Sequence, residues 1–192
     1  MPSPDGSTLA VVTYDFARSQ ELIALDARSG DTLWDGAVPD RMNSAVAWSP
    51  DGRLIATGGW QSGKLNLWDS ATGRRTAEPV TANAGWVVSI DFAWNGSLVV
   101  TAGTDGTVRL FDTNTLEQVG ANIPADDNVW ASAAVTPGDE MLVLSQTAHA
   151  WRWNLDPVRW ARQACLVANR TLTRSEWRAF LPGWDYAPSC GS

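Results

Sequence analysis

Cysteine and histidine are nearly absent from this chain: two of the first and one of the second in 192 residues. Two thiols do not make a disulfide framework. With one distant histidine they also lack the paired spacing of a zinc site. His149 stands between two alanines at the start of an expected strand, and no motif places an acid or nucleophile beside it. A structural or surface role is therefore the expectation for it. No apolar run approaches the ~18 residues of a membrane span. No Gly-x-x-x-x-Gly-Lys loop occurs, which leaves nucleotide chemistry without its phosphate cradle. Met1-Pro2-Ser3-Pro4 lacks the basic start and apolar segment of a signal peptide, so the chain reads as cytoplasmic. No catalytic residue, cofactor ligand or metal ligand is expected.

Positive charge is scarce and unevenly placed. Residues 1–156 hold 19 acidic and nine basic groups, whereas residues 157–192 hold five arginines against two acids. An acidic body disfavours phosphate, so nucleic acid is not an expected partner. The basic tail could dock on that body, or could simply be a solvated helix face.

What the chain does have is tryptophan, twelve of them, and a repeat. Turns recur at Pro4-Asp5-Gly6, Pro50-Asp51-Gly52, Trp94-Asn95-Gly96 and Pro137-Gly138-Asp139, in steps of 46, 44 and 43 residues. Apolar runs follow each turn and close on Asp26, Asp69, Asp112 and Asn154, spaced 43, 43 and 42 apart. A period of ~40–45 residues built of short strands is that of a β-propeller blade.

The second repeat shows the unit. Ala45–Trp48, Leu54–Thr57 and the alternating Lys64–Asp69 read as strands, with a fourth within Thr76–Val80. The third repeat copies it over Val87–Phe92, Leu98–Ala102 and Thr107–Asp112, then a strand near Glu117–Ala121. Thr104-Asp105-Gly106 is a hairpin turn, which explains that acid without a cation loop. The first repeat lacks its innermost strand and the last lacks its outermost. The expectation is an all-β propeller segment of about four blades, two complete and two partial, over residues 1–155. A short α-helical tail covers residues 156–192.

Leu67-Trp68-Asp69 with Ala71-Thr72-Gly73, and the Phe variant Leu110-Phe111-Asp112, resemble the WD-repeat family. The resemblance covers roughly residues 3–155. Leu25-Asp26-Ala27-Arg28-Ser29-Gly30-Asp31-Thr32-Leu33-Trp34 also looks like the pyrroloquinoline-quinone type of propeller repeat. The WD-repeat resemblance implies a hydrogen-bond network of His, Ser or Thr, Asp and Trp in each blade. Thr57, Thr101, Asp105 and Trp68 match parts of it. No histidine precedes any first strand, so the full network cannot form, and apolar packing between sheets should hold the blades.

Incomplete end blades would expose strand edges and apolar faces. The expected partners are therefore missing N-terminal blades or a second copy of the chain, beside an unknown protein partner.

In the tail, Asp156-Pro157 starts an amphipathic helix with Val158, Trp160, Ala161, Ala164, Cys165, Val167 and Ala168 on one half. Thr173 and Glu176 form a capping box for a second helix, with Leu172 stapled to Trp177. Trp160, Cys165, Ala168-Asn169-Arg170, Leu172-Thr173, Glu176-Trp177, Leu181-Pro182-Gly183, Tyr186 and Cys190 resemble the C-terminal element of many bacterial multidomain WD-repeat proteins. Those proteins often carry a signal-transducing NTPase, protease-like or kinase module. Cys165 and Cys190 are a candidate disulfide, although a cytoplasmic setting favours reduced thiols and Cys165 lies on the apolar helix face.

Candidate binding residues sit on one rim: Trp60 between second and third strands, and Trp86 and Trp130 at the entries of first strands. Exposed aromatics there would anchor a partner, and packing between blades is the competing role. Asp40, Arg41 and Asn43 occupy an equivalent rim loop. The function read from these features is a non-catalytic scaffold or sensor segment of a bacterial signalling or defence protein. The alternatives are a quinoprotein-like or hydrolytic propeller enzyme, or a small-ligand sensor.

Overall fold

Local turn chemistry sets the strand order. The computed structural model describes residues 1–13, 20–38, 43–125, 130–156, 159–160, 163, 166, 173–180 and 185–186. Among them fourteen strands form four antiparallel sheets, each running in chain order. The first holds β1 (Thr8–Val12), β2 (Gln20–Asp26) and β3 (Thr32–Val38). The second holds β4 (Asn43–Trp48), β5 (Leu54–Gly59), β6 (Lys64–Asp69) and β7 (Val80–Thr81). The third holds β8 (Val87–Ala93), β9 (Leu98–Gly103), β10 (Thr107–Asp112) and β11 (Gln118–Pro124). The fourth holds β12 (Ala131–Val135), β13 (Glu140–Ser145) and β14 (Ala150–Asn154). The architecture is the all-β, propeller-like segment that the period implies.

The Ser-Pro-Asp-Gly turns use one device twice. The Ser49 hydroxyl donates to Asp51 at 2.6 Å and accepts from the Leu54 N–H at 2.9 Å. Ser3, Asp5 and Thr8 repeat this at 2.6 and 3.0 Å. Gly6 and Gly52 close these turns at φ of 71° and 73°, a left-handed conformation that glycine adopts at no steric cost. The acids that end β2, β6 and β10 have an equally local reason. Asp26 accepts from the N–H groups of Arg28 and Ser29, Asp69 from that of Thr72, and Asp112 from those of Asn114 and Thr115. Each carboxylate folds the chain into the next turn.

Apolar residues pack between successive sheets. β9 is buried along its whole length because it faces two neighbours. Leu98, Val100 and Ala102 join Ala131, Ala133, Met141 and Val143 of the fourth sheet. Val99 points the other way and joins Leu65, Leu67, Phe92 and Phe111. Ala10, Leu22, Trp48, Ile55 and Trp68 fill the first interface. Burial of this kind contributes roughly 25 cal/mol per Å² of apolar surface.

Two expectations need adjustment. The outer strand of the second blade begins only at Val80 and has two residues, with a single bridge from Trp68 to Arg75 before it. Pro79 has no N–H to give a ladder, which interrupts the strand expected within Thr76–Val80. The innermost strand of the first blade is a stub: Pro2 bridges to Leu9, and the Ser3 N–H donates to the Thr8 carbonyl at 2.8 Å.

In the tail, Arg159, Trp160, Gln163 and Leu166 are helical. Helix α1 (Arg174–Phe180) carries the expected capping box. The Thr173 N–H donates to Glu176 Oε2 at 2.8 Å, and the Glu176 N–H donates back to Thr173 Oγ1 at 3.3 Å. α1 packs against β11, with Trp177 buried against Tyr186. Leu172 and the remaining residues of the amphipathic face lie outside the described residues, as do Cys165 and Cys190.

Candidate protein-interaction rim

The rim is built where first strands begin and second strands turn. Trp86 immediately precedes β8, and Trp130 immediately precedes β12. Each is tied to the hairpin turn of its own sheet. The Thr104 N–H donates to the Trp86 carbonyl at 3.0 Å, and the Trp86 N–H donates to Thr104 Oγ1 at 2.9 Å. In the fourth sheet the Gln146 N–H donates to the Trp130 carbonyl at 3.0 Å. Trp60 lies in the turn between β5 and β6.

The three indoles form one row. Trp60 meets Trp86 edge to face, with centroids 4.9 Å apart and planes at 75°. Trp86 meets Trp130 in the same manner at 5.6 Å and 68°. Such pairs contribute about 0.5–1.5 kcal/mol beyond their area burial. Trp60 and Trp86 are half-buried, while Trp130 is 47% exposed. The row therefore crosses three sheets and opens to solvent at its last member.

Beside the row sits a polar knot centred on Asp105. Its Oδ1 accepts from Asn83 Nδ2 at 3.0 Å and from the Thr107 hydroxyl at 2.8 Å. Its Oδ2 accepts from the Ala84 N–H at 2.8 Å and lies 3.0 Å from Arg109 Nη1. Burial pushes the Asp105 carboxyl up, but these donors outweigh it and hold the group below the ordinary carboxylate value. Asn83 thus performs the task that the WD-repeat resemblance assigns to a histidine. That bond adds a polar link to a blade held mainly by apolar packing. The signal was present, since Asn83 precedes a first strand just as the missing histidine would.

A second part of that network survives one blade earlier, where buried Trp68 Nε1 donates to Thr57 Oγ1 at 3.0 Å. The third sheet has Phe111 in place of that tryptophan, and its Thr101 hydroxyl is buried without a partner.

The other sequence candidates fare differently. Asn43 opens β4 opposite Gly59, which places its backbone at the same rim. Asp40 and Arg41 lie outside the described residues. His149 Nδ1 is 3.1 Å from the Thr147 hydroxyl, within the turn before β14. Among the described residues no three His, Cys, Asp or Glu side chains gather as metal ligands. On the opposite rim a cleft of about 740 Å³ opens between the first two sheets, beside Trp34, Trp48, Asp5 and Asp51. Those two carboxylates serve their own turns, as described above.

Comparison with known proteins finds relatives over parts of the chain. The family model described as eukaryotic translation initiation factor eIF2A matches residues 30–118. Autophagy-related protein 16 of Arabidopsis thaliana is 30% identical over 114 residues, covering 56% of this chain and 22% of the relative. Periodic tryptophan protein 2 homolog of Schizosaccharomyces pombe is 28% identical over 133 residues, covering 69% and 15%. Eukaryotic translation initiation factor 3 subunit I of Drosophila willistoni is 27% identical over 106 residues, covering 52% and 33%. The chain spans about a third or less of the length of these curated relatives. The relatives are WD-repeat proteins, the family whose repeat the four successive sheets of this chain resemble.

Proposed function

We propose that residues 1–155 form a non-catalytic, protein-binding propeller segment, with residues 156–192 as a helical tail packed on it. The observation that carries this reading is the Trp60–Trp86–Trp130 row. Three stacked indoles, two of them at backbone-tied residues and the row opening to solvent at Trp130, form the kind of aromatic cluster that dominates protein interfaces. The printed names of two relatives speak of a translation initiation factor subunit and an autophagy-related protein, which is compatible with work inside assemblies.

The segment serves as scaffold or sensor in a cytoplasmic bacterial signalling or defence protein. The support for this finer reading is the tail's resemblance to the C-terminal element of such proteins. Further blades of the same assembly, or a second copy, cover the end sheets. Leu142 and Leu144 on the fourth sheet and Val11 and Leu33 on the first are exposed there.

The test places a photo-crosslinking amino acid at position 130 and, separately, at position 53 on the opposite rim, in cells of the native host. A protein adduct specific to position 130, lost when Trp86→Ala is added, is expected. Equal adducts at both positions, or none at 130, would overturn the reading.

A further inference from the structure

Seven of the twelve tryptophans differ in what their indole N–H groups do. Trp34, Trp48, Trp68 and Trp160 each donate to a protein oxygen: the Ser70 carbonyl, the Met1 carbonyl, the Thr57 hydroxyl and the Asn154 carbonyl. None of Trp60, Trp86 and Trp130 donates its indole N–H to an acceptor among the described residues. The three that stack on one rim are therefore also unsatisfied donors.

Several acceptors beside them already take other donors. The carbonyls of Trp86 and Trp130 take the N–H groups of Thr104 and Gln146. The Thr104 hydroxyl takes the Trp86 N–H. Both oxygens of Asp105 are occupied by Asn83, Ala84, Thr107 and Arg109. The rim thus offers apolar ring faces and unspent hydrogen-bond donors. A proline-rich segment in the polyproline II conformation has the opposite pattern. Its proline residues have no N–H, its carbonyls point outward, and its rings pack on aromatic grooves. Charge narrows the choice further, because 19 acids against nine basic groups in residues 1–156 disfavour an acidic segment.

We infer that the Trp60–Trp86–Trp130 row binds a neutral or basic proline-rich segment of a partner protein. The indole N–H groups donate to its carbonyls, and the indole faces hold its rings. This rests on the reading of the rim as a protein-binding face.

The experiment uses the full chain, ¹⁵N-labelled, titrated with a decaproline peptide flanked by lysines. The controls are a Gly-Ser peptide with the same flanks and a decaproline flanked by glutamates. Saturable shifts of three indole N–H resonances are expected with the first peptide, and none with the Gly-Ser control. The acidic version should bind more weakly. Trp60→Phe, Trp86→Phe and Trp130→Phe assign the three resonances. Trp130→Phe keeps a ring but removes a donor, and should weaken binding about fivefold. Trp130 is half exposed, so this variant retains the dispersed spectrum of the folded chain. No shift with decaproline, equal shifts with the Gly-Ser peptide, or full binding by Trp130→Phe would overturn the inference. A crosslinked partner at position 130 together with no decaproline binding would leave the protein-binding reading standing and remove only the proline-rich ligand.

Discussion

Asn83 and Asp105 are 22 residues apart, yet their side chains meet at 3.0 Å, amide nitrogen to carboxylate oxygen. The bond closes the third blade across its rim, joining the loop before β8 to the turn between β9 and β10. It sits directly beside the Trp86 entry, so the same link that stiffens the blade steadies the centre of the tryptophan row.

Removing either partner should loosen the blade. Asn83→Ala leaves a carboxylate with one donor fewer, whereas Asp105→Ala strands the Ala84 N–H and takes one partner each from Asn83, Thr107 and Arg109. Losses of about 1–3 kcal/mol are expected from each, the larger from Asp105→Ala. The double variant should lose less than the sum of the singles, with a coupling of about 0.5–3 kcal/mol in urea unfolding. Additive losses would show that the two side chains do not work together.

Thr57 and Thr101 occupy equivalent positions and should respond oppositely to the same change. Thr57 receives the Trp68 indole N–H, so Thr57→Val strands a buried donor and should cost about 1–3 kcal/mol. Thr101 is fully buried with no partner for its hydroxyl, so Thr101→Val should be neutral or stabilise by about 1 kcal/mol. Equal destabilisation of the two variants would contradict this account.

Asn66 is also fully buried, and neither end of its amide has a partner. Asn66→Leu removes the desolvated polar group and should raise the thermal midpoint, by about 1–3 kcal/mol of stability. A lower midpoint would mean that the amide has a role that the isolated chain does not display.

Acid should unfold the protein through its turn carboxylates. The Ser3 hydroxyl, with the Ser7 N–H and hydroxyl, lowers Asp5 from 3.8 to about 2. The Ser29 and Arg28 N–H groups lower Asp26, the Ser49 hydroxyl lowers Asp51, and the Thr72 hydroxyl lowers Asp69. Asp105 is lowered despite its burial. A carboxyl whose folded value lies below its unfolded one stabilises fully above the unfolded value and loses that contribution as pH falls through the folded value. Urea midpoints should therefore vary little through these groups from neutrality to about pH 4 and fall steeply below it, and Asp105→Asn should make that fall shallower. A midpoint that held or rose between pH 4 and pH 2 would refute the assignment.

Much of this molecule was legible in one dimension because its instructions are local. Pro50-Asp51-Gly52 makes its turn with Ser49 and Leu54, all within a few residues. Asp26, Asp69 and Asp112 bend the chain through their own neighbours' N–H groups. Leu98 to Gly103 reads as a continuous apolar run because β9 faces a sheet on each side. Such signals require no knowledge of distant contacts, so the period, the four sheets and the capping box at Thr173 and Glu176 followed from residue order. Pro79 was visible too, but its effect on β7 depends on which N–H the ladder needs, and that is a matter of register.

The sequence alone placed Trp60, Trp86 and Trp130 on one rim and left open whether each packs inward or faces a partner. Tertiary structure decided that they touch one another and that their indole N–H groups remain unused. It also decided that Asn83 replaces a histidine at Asp105, and that Thr101 is orphaned where Thr57 is not. The reason is the same in each case. These relationships join residues separated by one strand pair or one whole blade, and the distances are set by how sheets stack rather than by any turn the local sequence encodes.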